Sequence, residues 1–414
     1  MTVARTVLDN GVAIVSEHVP YLKSATAGIW VPVGSRLETA GDSGIAHFIE
    51  HMLFKGTPRR KAADISRAIE SVGGTMNAYT SREYTYFFAK AMEKDFALLV
   101  DLLADIYRNS LFDEDELARE KRVILQEILM VDDTPEEYLN DFFNSSYWGG
   151  HPLGLPVQGT ADSVERFDRR RVVDYFGDRF RRQGIIVTVV GNLPHEAAAS
   201  AFGEALSSLT LGERLEHSPP TEPVRGSFLK RKPLEQAHLC LGAPAVSRRC
   251  DRVFAMDVVN AILGGSSSSR LFQRIREERG LAYSVGSTLS VYADAGILEI
   301  YAGTGREHVR EVIALAGDIL DELQGGGISA EEVGFAKELI KGNTLLSLES
   351  TGYRMSLLAM NEMFLERREP PEEILARVDA VTTDQVRALA ADTLRRDRFT
   401  LAAVGDLPDG ELGL

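Results

Sequence analysis

The pattern of apolar and polar positions first predicts a β-hairpin. The runs Thr6-Val7-Leu8 and Val12-Ala13-Ile14-Val15 flank Asp9-Asn10-Gly11, three residues suited to a tight turn. A β-rich apolar run at 25–33 predicts a strand. Helical spacing of apolar positions then covers 44–54, 62–72, 94–107 and 113–130, with a strand at 85–90 between the second and third. The continuous apolar run at 184–191 reads as a buried strand. Strands and helices mixed in this order indicate an α+β fold.

A search for internal similarity doubles that plan. Ile185-Ile-Val-Thr-Val-Val-Gly-Asn-Leu-Pro194 resembles Phe399-Thr-Leu-Ala-Ala-Val-Gly-Asp-Leu-Pro408 at an offset of 214. At an offset of 216, Asp113-Glu-Asp-Glu116 matches Ser329-Ala-Glu-Glu332. Each has an N-cap acceptor with glutamate three residues on, and each precedes a long helical pattern. The expectation is two structurally similar α+β halves, each a mixed sheet flanked by helices, at 1–214 and 227–414. Between them, 215–226 holds three prolines and a glycine and reads as an extended linker.

Composition narrows the chemistry. Hydrophobic residues at 44% and charged residues at 26% suit a soluble chain with a sizeable core. The net charge of −15 argues against nucleic acid or an anionic membrane as partner, because both need a basic face. Cys240 and Cys250 cannot form a disulfide framework, and Cys240 sits in an apolar run that suits the core. A reducing compartment fits two such thiols best. The start of the chain shows no basic head followed by an apolar stretch, and no segment is apolar enough to span a bilayer. A cytoplasmic location is expected.

The chemistry centres on His47-Phe-Ile-Glu50-His51, inside the helical pattern at 44–54. Imidazoles at i and i+4 leave one face of a helix a turn apart, as two ligands of one Zn²⁺ require. Glu50 projects beside them, placed to take a proton from a water at the metal without being a ligand. This HxxEH order is the inverse of HExxH. The pentapeptide alone leaves open a helix with two surface histidines beside a carboxylate. A catalytic zinc wants a third protein ligand, and Glu120 and Glu127 stand seven residues apart on one face of the 113–130 helix. A pair at this spacing suits a ligand and its supporting hydrogen-bond acceptor.

Over essentially its whole length the chain resembles the pitrilysin/insulinase family of zinc peptidases, in particular the short branch typified by mitochondrial processing peptidase. The resemblance rests on Gly44-Ile-Ala-His-Phe-Ile-Glu-His-Met-Leu-Phe-Lys-Gly-Thr57, and on Glu127 with 75 residues between it and His51. Glu120, Gly74-Thr-Met-Asn-Ala-Tyr-Thr-Ser81 and His151-Pro-Leu-Gly154 also match. It implies one Zn²⁺ per chain on His47, His51 and Glu127, with Glu120 in support and Glu50 as general base.

The resemblance further implies that Asn77 and Ala78 lie on an edge strand that holds an extended substrate by main-chain pairing. It makes Arg276 and Tyr283 of the second half a pair reaching toward substrate, with Tyr283 helping to stabilise the oxyanion. Read alone, Asn77-Ala78 would be an ordinary strand and Arg276 one charge on a solvated helix face. Gly264-Gly-Ser-Ser-Ser-Ser269 lacks the ending of a phosphate loop and reads as a flexible connection. At the offset of 216, Ala336 and Asn343 stand where Glu120 and Glu127 stand in the first half, and no second HxxEH exists. One half is thus expected to be catalytic and the other to hold substrate. The expected activity is a zinc endopeptidase on peptides or unfolded segments, working as a homodimer around a closed chamber. A catalytically silent or heteromeric subunit and a pure peptide-binding module are the rival readings.

Overall fold

The hairpin forms where the turn residues place it. In the computed structural model, which describes residues 2–365, 367–408 and 412–413, strands β1 (Thr2–Val7) and β2 (Ala13–His18) pair antiparallel. The Leu8 N–H donates to the Val12 carbonyl at 2.9 Å, and Gly11 takes φ +88° to close the loop. Four more strands complete this sheet: β3 (Ser24–Val31), β4 (Thr75–Thr80), β5 (Thr85–Met92) and β6 (Ile186–Gly191). Their order is β1-β2-β6-β3-β5-β4, with only the β2–β6 pair parallel. Every residue of β6, Ile-Val-Thr-Val-Val-Gly, is buried, as its unbroken apolar run requires of a central strand. In β4 and β5 burial alternates along the strand, the pattern of a strand with two unlike faces.

The two faces of β3 show how this sheet is covered. Ala25, Ala27, Ile29 and Val31 join the core formed with helices Ile45–Leu53, Ala62–Glu70 and Phe96–Asn109. On the other face the Thr26 hydroxyl donates to Thr351 at 2.8 Å, and a Cβ on Gly28 would stand 2.9 Å from Met355 Sδ. Thr351 and Met355 belong to helix Thr351–Met360. That helix also carries Arg354, whose guanidinium pairs with the buried Glu17 of β2 at 2.7 Å.

The second sheet holds β7 (Gly226–Arg231), β8 (Gln236–Pro244), β9 (Ala282–Val291), β10 (Gly296–Gly305) and β11 (Thr400–Gly405), in the order β7-β11-β8-β10-β9. One parallel pair is followed by three antiparallel ones. The first sheet repeats that sequence of pairings from β2 to β4, so the halves are alike in topology, and β6 and β11 are the two matching runs at the offset of 214. Helices Val253–Leu263, Val309–Gln324 and Thr383–Thr393 cover one face. Helix Pro135–Trp148 packs on the other, with the Phe143 ring filling the space where Gly242 has no side chain.

Each sheet therefore takes one helix from the opposite half of the sequence. Met1–Met130, Leu155–Ser218 and Ser347–Arg368 form one compact unit; Val131–Gly154, Pro219–Leu346 and Glu369–Leu414 form the other. The units interleave in sequence instead of following 1–214 and 227–414. The reason lies in the second face of each sheet, whose apolar and buried polar groups need a cover that their own half does not provide. Residues 215–225 run between elements without forming one. Cys240 is buried and Cys250 partly buried, both as free thiols. Among the described residues, no helix is long and apolar enough to cross a membrane.

Candidate metal centre

Helix Ile45–Leu53 divides cleanly by face. Ile45, Ala46, Phe48, Ile49, Met52 and Leu53 are buried in the core, which leaves His47, Glu50 and His51 together on the remaining face. Its start is fixed by two features. Gly44 has φ +89°, and a Cβ there would stand 2.5 Å from the Gln158 carbonyl oxygen, so only glycine fits. The buried Glu38 carboxylate accepts from Gly44 N–H at 2.8 Å and from Ala46 N–H at 2.9 Å, satisfying two amides at the helix start.

The long helix Glu114–Asp133 supplies the carboxylates. Asp113 caps it by accepting from the N–H groups of Asp115 and Glu116 at 3.0 and 3.2 Å. The capping box expected here is half made, because Glu116 pairs with Arg119; the matching Ser329–Glu332 box is complete in both directions. Glu127 Oε2 stands 3.9 Å from His47 Nε2 and 3.6 Å from His51 Nε2. The three ligand atoms lie within 4.8 Å of one another and form a group able to hold a metal ion. Separations of this size suit atoms that share one small cation in tetrahedral coordination.

Glu120, one side-chain row deeper, is buried and accepts from His51 Nδ1 at 3.0 Å. That bond puts the proton of a neutral His51 on Nδ1 and leaves Nε2 free as a ligand. Lys55 pairs with the other oxygen of Glu120 at 2.6 Å. Burial works against ionising Glu120, but the bonds from His51 and Lys55 outweigh it and hold its pKa below the usual value.

The electrostatics fit a dication. Burial, then the neighbouring His51, lowers the His47 pKa to about 3, so this imidazole is neutral and ready to coordinate. Glu50, Glu120 and Glu127 place three carboxyl groups around two imidazoles, with the Lys55 ammonium paired to Glu120. Burial governs one neighbouring shift and that excess of carboxyl groups the other. Burial raises the Glu50 pKa, opposed by its bond from Thr80. Burial pulls the His51 pKa down, yet the bond to Glu120 and the charges of Glu127 and Glu50 carry it above its ordinary value. The Nδ1 atom of His47 is buried with no hydrogen-bond partner. His51 is therefore the hydrogen-bonded imidazole of the pair, while the buried His47 Nδ1 has no such tether.

Asn77 and Ala78 lie on β4, which pairs with β5 on one side only and so is an edge of its sheet. The Ala78 N–H is taken by its neighbour's Asn77 Oδ1 at 2.9 Å. In the second unit, Arg276 lies on the π-helical turn Phe272–Glu277 and Tyr283 is the second residue of edge strand β9. Tyr283 is 78% exposed, with the Arg276 guanidinium 4.5 Å above its ring. Thus His47, His51, Glu127, Glu120 and Glu50 gather at one centre in the first unit, and Arg276 and Tyr283 pair with each other in the second. Thr80, Lys55 and Glu38 were not marked by any spacing rule. Thr80 and Lys55 lie inside the matched segments 74–81 and 44–57, and only their contacts single them out.

Comparisons with known proteins place the chain in a family. Residues 13–161 match the insulinase family (peptidase family M16), and residues 166–340 match the peptidase M16 inactive domain. Proteins named as uncharacterized zinc proteases in Streptomyces coelicolor and Bacillus subtilis are 39% and 37% identical to this chain. The first alignment covers 99% of the chain and 90% of the relative; the second covers 99% of both. A peptidase M16 inactive domain from Pseudomonas fluorescens superposes with a TM-score of 0.92 at 20% identity, covering 99% of this chain and all of that one. A protease from Helicobacter pylori superposes at 0.90 with 22% identity, over 98% of this chain and 99% of that one; both share the fold. Identity of this extent, along almost all of the sequence, makes the chain a member of the insulinase (M16) peptidase family.

Proposed function

We propose that this chain is a zinc-dependent endopeptidase that hydrolyses peptides or unfolded segments held as an added strand on β4. The observation that carries this reading is the convergence of His47, His51 and Glu127 on one point, with Glu50 on the same helix face. The naming of the 37–39% identical relatives as zinc proteases supports it. His47, His51 and Glu127 would hold the ion, which when bound supplies a more acidic water and a polarised carbonyl.

The chain's own groups do the rest. Glu120 and Lys55 keep the His51 tautomer and ring orientation fixed. Glu50 takes a proton from the attacking water and returns it to the leaving amine. The free edge of β4 holds the substrate backbone, which gives affinity with little sequence preference. By resemblance, Arg276 and the exposed Tyr283 hold substrate and steady the oxyanion. Also by resemblance, two copies of the chain form a homodimer that closes a chamber. Sedimentation near twice 45.5 kDa is the expected result, and activity of a strict monomer would refute that assembly.

The main test separates base from ligand. Glu50→Gln should abolish peptide hydrolysis while the protein still carries about one zinc per chain. Glu127→Gln should lose zinc and activity together. A Glu50→Gln protein free of zinc, or a Glu127→Gln protein with full zinc, would overturn the assigned roles.

A further inference from the structure

The last residue of β4 faces the base. Thr80 is buried, and its hydroxyl donates to Glu50 Oε2 at 2.5 Å. The next residue, Ser81, sends its N–H across the hairpin to the Tyr84 carbonyl at 2.8 Å, so the Thr80 N–H points the opposite way. Thr80 thus turns its amide to the free side of the sheet, where it favours the charged form of Glu50. Strand backbones repeat every two residues, so Ala78 and Met76 send theirs the same way. The Ala78 N–H agrees, being taken by Asn77 Oδ1 and not by β5. Glu50 therefore stands at the end of the row of main-chain groups that faces away from β5, the side on which a strand could be added once Asn77 releases the Ala78 N–H. It lies one step of two residues beyond Ala78, roughly 6–7 Å along the strand.

We propose that Thr80 is a positioning residue that sets Glu50 in register with the substrate-holding edge of β4. The proposal rests on the peptidase reading above. Most of Glu50 is withdrawn from water, and a carboxylate so placed needs donors. Thr80 provides one through its hydroxyl, its backbone N–H adds to the stabilisation of the charge, and by engaging Oε2 the hydroxyl leaves Oε1 to accept a proton. The Thr80 hydroxyl is itself braced, since Thr85 Oγ1 lies 3.3 Å away and donates to the Val33 carbonyl at 2.8 Å. A peptide paired with Met76 and Ala78 then presents its next carbonyl where Glu50 is held. Binding and base placement thus share one rigid strand.

The test compares Thr80→Val, which keeps shape and backbone N–H but removes the hydroxyl, with Thr80→Ser, which keeps the hydroxyl. With a fluorogenic peptide, Thr80→Val should lower kcat roughly ten- to a hundredfold, the loss of one hydrogen bond to a charged group. KM should change by less than about twofold and zinc content should stay at the wild-type level, because neither the free edge nor a ligand is touched. Thr80→Ser should recover kcat to within about threefold of wild type. An unchanged kcat in Thr80→Val would overturn the proposal. So would a serine variant as impaired as the valine one, which would mean that packing by the threonine methyl matters instead. Crystal structures of wild type and Thr80→Val separate this idea from the peptidase reading. If the wild type cleaves no peptide, that reading falls. A Glu50 carboxylate in one rotamer in wild type and dispersed in Thr80→Val would still support the positioning role; the same rotamer in both would overturn it.

Discussion

Replacing Glu120 by glutamine isolates what a carboxylate behind a metal ligand contributes. In the structure Glu120 does two things at once: it accepts from His51 Nδ1 at 3.0 Å and pairs with Lys55 at 2.6 Å. Glutamine keeps an acceptor of nearly the same shape, so His51 retains a partner, but the charge on that partner is lost. A neutral acceptor bonds the imidazole about half as strongly as a charged one. Lys55 would be left facing an amide in a part-buried position. Changes to such supporting groups typically reduce metal affinity about 10- to 100-fold, or about 1.4–2.7 kcal/mol. Because glutamine preserves the geometry, the low end is expected, roughly tenfold. The assay is competition for zinc against a chelating dye, on wild type, Glu120→Gln and Glu127→Gln side by side. The ordering is the decisive result. Glu120→Gln should be weakened moderately and Glu127→Gln far more, since only the latter removes a ligand. If Glu120→Gln sheds zinc as completely as Glu127→Gln, Glu120 is itself a ligand and its place behind His51 has been misread.

Three further predictions concern the scaffold that carries the site. Gly44→Ala forces a side chain onto φ +89° and against the Gln158 carbonyl, at about 2–5 kcal/mol for backbone and overlap together; thermal unfolding should register the loss, and an unchanged Tm would refute it. Arg354→Met strands Glu17 as a buried charge and should cost about 3–5 kcal/mol, whereas Arg354→Met with Glu17→Gln should cost less than Arg354→Met alone; additive losses in that cycle would mean the pair does not interact. A fragment of residues 1–218 lacks Ser347–Arg368 and so leaves β3 and β6 bare on one face; it should show no cooperative thermal transition, and a sharp one with intact near-ultraviolet dichroism would refute the need for that cover.

Much of the site was legible because its parts are local. His47, Glu50 and His51 fall within a single helix, where 3.6-residue periodicity decides which side chains share a face. Glu120 and Glu127 lie seven residues apart on a second helix for the same reason. The repeat at the offset of 214 likewise pointed to β6 and β11, since central strands announce themselves by unbroken apolar runs. What stayed hidden depends on contacts across the fold. Helix Pro135–Trp148 continues the first half in sequence, yet its Phe143 fills the space above Gly242 of the second sheet. An amphipathic pattern says that a face will be buried without saying against what. Glu38 shows the same limit: nothing in Ser35-Arg-Leu-Glu38 marks a carboxylate that will cap a helix beginning seven residues later.

The second sheet shows which part of the site belongs to the scaffold and which to the chemistry. In each sheet a helix follows the equivalent strand, β3 or β8, and one of its polar side chains meets a hydroxyl on the edge strand. In the first, Glu50 accepts from Thr80 on β4; in the second, Asn260 Oδ1 accepts from Ser287 on β9 at 2.7 Å. The tie from helix to edge strand is thus available in both units. Aligning the two ties sets Asp257 and Ala261 where His47 and His51 stand, and the 216 offset sets Ala336 and Asn343 where Glu120 and Glu127 stand. The second unit has no imidazole at those positions, so it keeps the geometry without the ligands. Asn260 is neutral, and one hydroxyl suits an amide oxygen well. Glu50 is a part-buried carboxylate, whose charged form is favoured by the Thr80 hydroxyl and by the nearby Thr80 backbone N–H. The same clamp therefore fixes packing in one unit and, with a carboxylate in its grip and two imidazoles on the same helix face, holds Glu50 beside a group able to bind a metal in the other.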